Sequence, residues 1–181
     1  MPEEAWDMER YAGRALDLSK DLKCAVCPGS ECGNIFTFAE SCTGGLLASA
    51  VTMIPGSSEV FPGSVVTYSN RAKIEMLSVT PETIEKYGAV SAQCAAEMAL
   101  AALRLHAVTI AVSVTGIAGP GGGSDEKPVG TVWFAMAHSS GRMRLKRGYF
   151  PDRDRRGTQE RAVIAALDLL IGGLQYELST R

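Results

Sequence analysis

The stretch Thr115 to Ser124, TGIAGPGGGS, constrains this chain most. It follows Val108-Thr109-Ile110-Ala111-Val112-Ser113-Val114, an apolar, β-branched run that reads as a buried strand. Glycine and proline at this density exclude a helix or a central strand. Without Cβ atoms the loop backbone can approach a ligand closely, and successive free N–H groups form a concave donor surface for an anion. The plainer alternative is a turn between strands, but such turns need only about 2 to 6 residues. The loop lacks the G-x-G-x-x-G pattern and leads into the strand Val129-Gly130-Thr131-Val132-Trp133-Phe134, so it is no dinucleotide fingerprint. No Gly-Lys-Ser/Thr follows, which excludes a Walker loop.

The strand and helix signals around the loop alternate. Glu4 to Leu22 is predicted as an amphipathic helix. Ile35 to Ala39 reads as a strand, followed by the polar turn Glu40-Ser41-Cys42-Thr43-Gly44-Gly45 and a helix from Leu46. That turn offers free N–H groups at a helix N-terminus, a natural anion site. Ser41 and Thr43 also suit N-caps, the preferred role for Thr43, while for Ser41 both roles stay open. Ser64 to Tyr68 is a strand, and Ser69 or Asn70 caps a helix through Leu77. Pro81 after Thr80 opens a short helix ending near Gly88, and Ser91 caps an alanine-rich helix to His106. Val129 to Ala137 and Arg142 to Phe150 form a hairpin, and Thr158 to Leu174 a last helix. The expected fold is α/β, three layers α/β/α around a mixed sheet, in a single domain spanning 1–181 with an N-terminal helix 4–22 and a core 34–175.

The 181 residues are 46% hydrophobic and 21% charged with a net charge of −2, which gives no electrostatic argument for nucleic acid or a membrane surface. No apolar run is read as reaching the roughly 20 residues of a membrane span. The acidic start MPEEAWDMER is no secretory signal, so a cytoplasmic setting is expected. Cys24-Ala-Val-Cys27 and Cys32 resemble part of a metal knuckle, but no second close pair follows, and His106 and His138 are isolated. No metal is expected, and Cys24 to Gly33 reads as a surface loop.

Tyr68 at a strand end and Lys73 in the following helix bring a phenol and an amine near one strand terminus. Ser57 and Ser58 sit on a bend after Gly56. A serine alone is a weak nucleophile and needs an adjacent base. With G-x-S-x-G absent and both histidines poorly placed, a Ser-His-Asp triad is poorly supported. A Ser-Lys arrangement remains open beside the plainer reading of Lys73 as a surface lysine, and would need a partly desolvated lysine as base. The glycine-loop N–H groups suit an oxyanion or a phosphate.

The segments AESCTGG (39–45), GSSEVFPGSVVTYSNRAK (56–73), YGAVS (87–91), TGIAGPGGG (115–123) and KPVGTVWFA (127–135) together resemble the CinA family C-terminal domain. The resemblance covers essentially the whole chain and does not include the molybdopterin-binding-like module of full-length CinA proteins. Stand-alone members of the family are nicotinamide-nucleotide amidases. The resemblance implies hydrolysis of the carboxamide of nicotinamide mononucleotide (NMN) by a serine–lysine mechanism without metal or cofactor. It implies Ser58 as nucleophile, Lys73 as general base, Tyr68 as a positioning phenol, and Ser41 as a hydrogen-bonding residue and rival nucleophile. Thr43, Gly44, Thr115, Gly116, Gly119, Gly121 and Gly122 would hold substrate or oxyanion. Arg155, favoured over Arg153, would contact phosphate, with Gln159 where the family often carries a further Arg. A small-molecule nucleotide substrate and a homo-oligomer are expected. A non-catalytic nucleotide-binding or regulatory module is the alternative, and predicts binding without ammonia release.

Overall fold

The computed structural model describes residues 7–26, 35–151 and 153–180. A five-stranded mixed sheet runs β2-β1-β3-β4-β5 across the molecule. The strands are β1 (Phe36–Glu40), β2 (Ser64–Val66), β3 (Ile110–Gly116), β4 (Thr131–His138) and β5 (Met143–Tyr149). β2, β1 and β3 are parallel, while β4 and β5 run antiparallel to their neighbours. The helices are α1 (Met8–Val26), α2 (Leu46–Thr52), α3 (Asn70–Leu77), α4 (Pro81–Tyr87), α5 (Ala92–His106) and α6 (Arg155–Ser179). α1, α2 and α6 form one outer layer. α5, with α3 and α4 beside it, forms the other. The three-layer α/β/α expectation holds.

Side-chain alternation along β1 divides the core. Phe36 and Phe38 face α1, α2 and α6, and Phe61 packs on both with ring centroids 5.2 and 5.3 Å away. Ala39 and its neighbour Ala111 meet Cys94 and Met98 of α5 on the other face. Alanines in α5 and β4 let that helix lie close to the sheet.

Several element ends differ from the sequence expectation. α1 runs on through Cys24, so that exposed cysteine is helical and outside any loop. Cys27, Cys32 and the rest of the expected loop lie outside the described residues. α6 starts at Arg155 because the Asp154 side chain accepts from the Gly157 N–H at 2.7 Å and caps the helix. It also ends five residues beyond Leu174, at Ser179. By length and hydropathy α6 would cross a bilayer, contrary to the expectation of no such run, yet more than half of its apolar window is buried against the sheet and α1. Its apolarity is that of a core helix.

Chain order makes β1 the switch point of the sheet. The connection through α2 leads to β2 on one side of β1, and the connection through α3, α4 and α5 leads to β3 on the other. The carboxyl ends of β1 and β3 therefore flank a crevice, where open α/β sheets place ligands. Phe36→Ala is expected to destabilise the fold by about 3–5 kcal/mol, read from a urea melt, because the fully buried ring leaves a cavity between the sheet and its covering helices.

Candidate active site

Ser41 comes directly after β1, and its N–H donates to the Val114 carbonyl at 2.9 Å, fixing it at the crevice. β1 pairs with β2 in the register Glu40↔Val66. The parallel pairing continues one step, with the Thr67 N–H donating to the Glu40 carbonyl at 2.8 Å. The chain then turns into α3, capped by Ser69, whose hydroxyl accepts from the Ala72 N–H at 3.1 Å. The first turn of α3 delivers Lys73 inward. Its Nζ donates to Ser41 Oγ at 2.7 Å and to the Thr67 carbonyl at 2.8 Å.

Lys73 is only 1% exposed and Ser41 6%. Burial pushes the Lys73 amine below its ordinary value, since removal from water disfavours the charged form. Two thiols lie nearby. Burial pushes Cys42 up to about 12 and Cys94 up to about 11, so both are neutral at physiological pH and neither is a counter-ion. Among the described residues no carboxylate forms an ion pair with Lys73. A neutral amine accepts the Ser41 proton through the same contact that the ammonium form uses as donor.

Ser58 lies elsewhere. It is exposed in a single 3-10 turn, Ser57–Glu59. The adjoining Val60 carbonyl accepts from the N–H groups of Ile35 and Phe36, at the start of β1. Ser41 is at the other end of that strand. Five strand residues, Phe36–Glu40, at about 3.3 Å each place the two ends roughly 17 Å apart. Within one chain, then, the expected pairing of Ser58 with Lys73 is not formed, and Ser41 occupies that place.

The polar turn is also filled differently. No external anion site opens at the start of α2, because the Glu40 carboxylate occupies it. Glu40 Oε2 accepts from the Gly45 N–H (3.0 Å), the Leu47 N–H (3.1 Å) and the Thr43 hydroxyl (2.8 Å). Its Oε1 accepts from the Ala48 N–H (2.9 Å) and the Ser64 hydroxyl (3.1 Å). The expected cap Thr43 thus serves Glu40, and the helix N-cap is Gly45. Gly44 and Gly45 take φ values of 62° and 98°, a left-handed backbone that favours glycine. Glu40 is fully buried, and its residue type in a polar turn does not by itself indicate this role. The available signal was an acidic residue just before a helix whose cap position holds glycine.

The glycine loop leaves β3 beside Ser41. The Thr115 hydroxyl donates to the Ala89 carbonyl at 2.8 Å, which ties it to the segment before α5. A Cβ at Gly116 would lie 2.8 Å from the Thr131 carbonyl oxygen, so this glycine serves the close approach of β4. Gly121 and Gly122 are exposed. Arg155, in the first turn of α6, closes the rim. Its guanidinium donates to the Gly119 carbonyl at 2.8 Å and to the Tyr68 hydroxyl. Tyr68 is 58% exposed, at the mouth and away from the buried pair. Gln159, one turn on, donates to the Cys42 carbonyl at 2.8 Å. Arg153 is exposed, with no contact to these residues. The crevice therefore has a buried Ser41–Lys73 floor and a cationic, phenolic rim.

Burial of Lys73 has a pH signature. Between its lowered value and the ordinary one near about 10.4, the unfolded chain holds a proton here that the folded chain does not. Stability contributed at this site rises with pH across that window, and below it the folded state carries the full cost of the buried charge. Lys73→Met is expected to raise Tm at pH 7, by roughly 2–4 °C for each kcal/mol relieved at this chain length, with the gain shrinking towards pH 10. Differential scanning calorimetry across pH checks both statements.

Residues 30–174 match the family model described as the CinA C-terminal domain. The nicotinamide-nucleotide amidohydrolase PncC of Enterobacter agglomerans is 53% identical over 131 residues, covering 72% of this chain and 79% of that protein. A CinA-like protein of Fervidobacterium nodosum is 50% identical over 139 residues, 76% of this chain. The chain spans only 33% of the length of that relative. The crystal structure of the competence/damage inducible protein CihA from Agrobacterium tumefaciens is similar with a TM-score of 0.81 at 42% identity, covering 91% of this chain and 95% of that one.

Proposed function

The chain belongs to the CinA C-terminal domain family, and from that premise we propose that it is an amidase converting NMN to nicotinate mononucleotide and ammonia. The observation that carries the chemistry is the 2.7 Å contact between the buried Lys73 amine and the Ser41 hydroxyl. Its relatives named as nicotinamide-nucleotide amidohydrolases supply the substrate class.

In this mechanism Ser41 Oγ attacks the carboxamide carbon as neutral Lys73 takes its proton. The tetrahedral intermediate collapses with cleavage of the carbon–nitrogen bond, and protonated Lys73 gives its proton to the departing nitrogen, which leaves as ammonia. A nicotinate mononucleotide ester of Ser41 remains. Water then attacks the ester carbonyl while Lys73 accepts its proton, and Ser41 leaves with that proton to complete the cycle. Burial lowers the lysine pKa, which favours the neutral amine that this step needs as base. Arg155 receives the substrate phosphate at the rim, using N–H donors that the Gly119 and Tyr68 contacts leave available. Tyr68 steadies that guanidinium. The scheme uses no metal or cofactor. A phosphorylated substrate of this kind is retained inside cells, so the reading includes a cytoplasmic setting, and association into a homo-oligomer belongs to it on general grounds.

Ammonia release from NMN in the presence of chelator tests the proposal. Ser41→Ala and Lys73→Ala are each expected to lower kcat by at least about a thousandfold, and Ser58→Ala to stay near wild type. Arg155→Ala is expected to raise KM roughly tenfold with a smaller change in kcat, as for a lost charge-assisted contact. Full activity in Ser41→Ala removes the nucleophile assignment. NMN bound by the wild type without ammonia release replaces the amidase with the binding-module reading.

A further inference from the structure

The turn after β1 divides its N–H groups unevenly. Ser41 N–H donates to Val114, Gly44 N–H to the Ser41 carbonyl, and Leu46 N–H to the Thr43 carbonyl. Gly45, Leu47 and Ala48 donate to the Glu40 carboxylate. Two amides remain: that of Cys42 meets only its own thiol, a weak acceptor, and that of Thr43 finds no acceptor among the described residues. Both residues are buried, at 5% and 3% exposure. Buried N–H groups without partners are rare in folded chains, because an unmet donor shielded from water is costly. These two immediately follow Ser41, where the N–H after a nucleophile serves an oxyanion in other hydrolase folds.

The glycine loop, the sequence-level candidate for that task, is engaged differently. The Gly119 carbonyl is turned to Arg155, the Ile117 N–H donates to the Thr131 carbonyl at 2.9 Å, and the glycines beyond are exposed. Resting on the amidase reading, we infer that the Cys42 and Thr43 N–H groups form the oxyanion hole, and that Glu40 is the positioning residue that holds the turn in that geometry. Glu40 acts in two ways. It occupies the start of α2, so that no substrate anion is drawn there in competition. It also takes the Thr43 hydroxyl, which fixes the residue carrying the second donor. Glu40 touches no substrate in this assignment. The tetrahedral oxyanion bonds Cys42 and Thr43 N–H, while the proton travels separately between Ser41 and Lys73.

The test compares NMN with its thioamide analogue, whose tetrahedral intermediate places charge on sulfur, a poor hydrogen-bond acceptor. Wild type, Glu40→Gln and Thr43→Val are assayed on both, with circular dichroism to establish folding. Glu40→Gln is expected to lower kcat on NMN at least about tenfold with KM within about threefold, since loss of a single oxyanion donor costs more than this. The oxygen-over-sulfur rate ratio should fall at least threefold, because a displaced hole no longer favours oxygen; a purely structural role leaves that ratio unmoved. Thr43→Val should shift the ratio in the same direction by less, and it carries the test if Glu40→Gln does not fold. Wild-type activity with an unchanged ratio in both variants overturns the assignment alone. A wild type that releases no ammonia from NMN overturns the amidase reading and this assignment with it.

Discussion

Lys73 ends 2.7 Å from Ser41 while only 1% exposed, and much of the surrounding architecture is what such burial requires. An ammonium in an apolar interior is expensive unless it is hydrogen-bonded or gives up its proton. Here the Thr67 carbonyl supplies one bond and Ser41 another, and no carboxylate pairs with the amine among the described residues. A carboxylate at that point would hold the lysine charged and spoil it as a base. The acid adjacent to Ser41 in the chain, Glu40, points to the opposite face of the sheet, where the start of α2 satisfies it. Strand alternation thus keeps two buried ionisable groups apart although Glu40 and Ser41 are adjacent in sequence.

The two groups illustrate one economy of design. The helix N-terminus neutralises Glu40 with oriented N–H dipoles, so the fold tolerates a buried carboxylate. Lys73 receives less solvation, and the deficit lowers its pKa toward the range where an amine accepts a proton. In the proposed mechanism the stability lost at Lys73 is exchanged for its use as a base, a common exchange at active sites. The thiols of Cys42 and Cys94 near the amine are held neutral by burial and supply it no counter-charge.

Much of this fold was legible in the sequence because local signals agreed. Ser91 caps α5 through the Cys94 N–H at 3.2 Å, and Thr80 with Pro81 opens α4, as their residue types indicated. The β-branched run before the glycines became β3. The site was legible in its residue types and less so in its pairings. Ser58 is nearer to Lys73 along the chain, and nothing local reveals that the parallel register Glu40↔Val66 carries Ser41 to the Thr67 carbonyl and hence to Lys73. That pairing is a tertiary fact. Glu40 escaped notice for a related reason: a turn rich in Ser, Thr and Gly suggests its own caps, and only the structure shows a strand-end carboxylate reaching past it. Arg155 was legible in kind, but its bridge from Gly119 to Tyr68 depends on α6 starting earlier than its apolar pattern suggested.

The central claim is that Ser41 carries the acyl group. Rapid acid quench of the wild-type enzyme with saturating NMN, followed by proteolysis and fragmentation mass spectrometry, tests it directly. The account predicts a nicotinate mononucleotide ester on Ser41, formed with a burst of ammonia and absent from Lys73→Ala. An ester on Ser58, or steady turnover with neither burst nor covalent adduct, would contradict it.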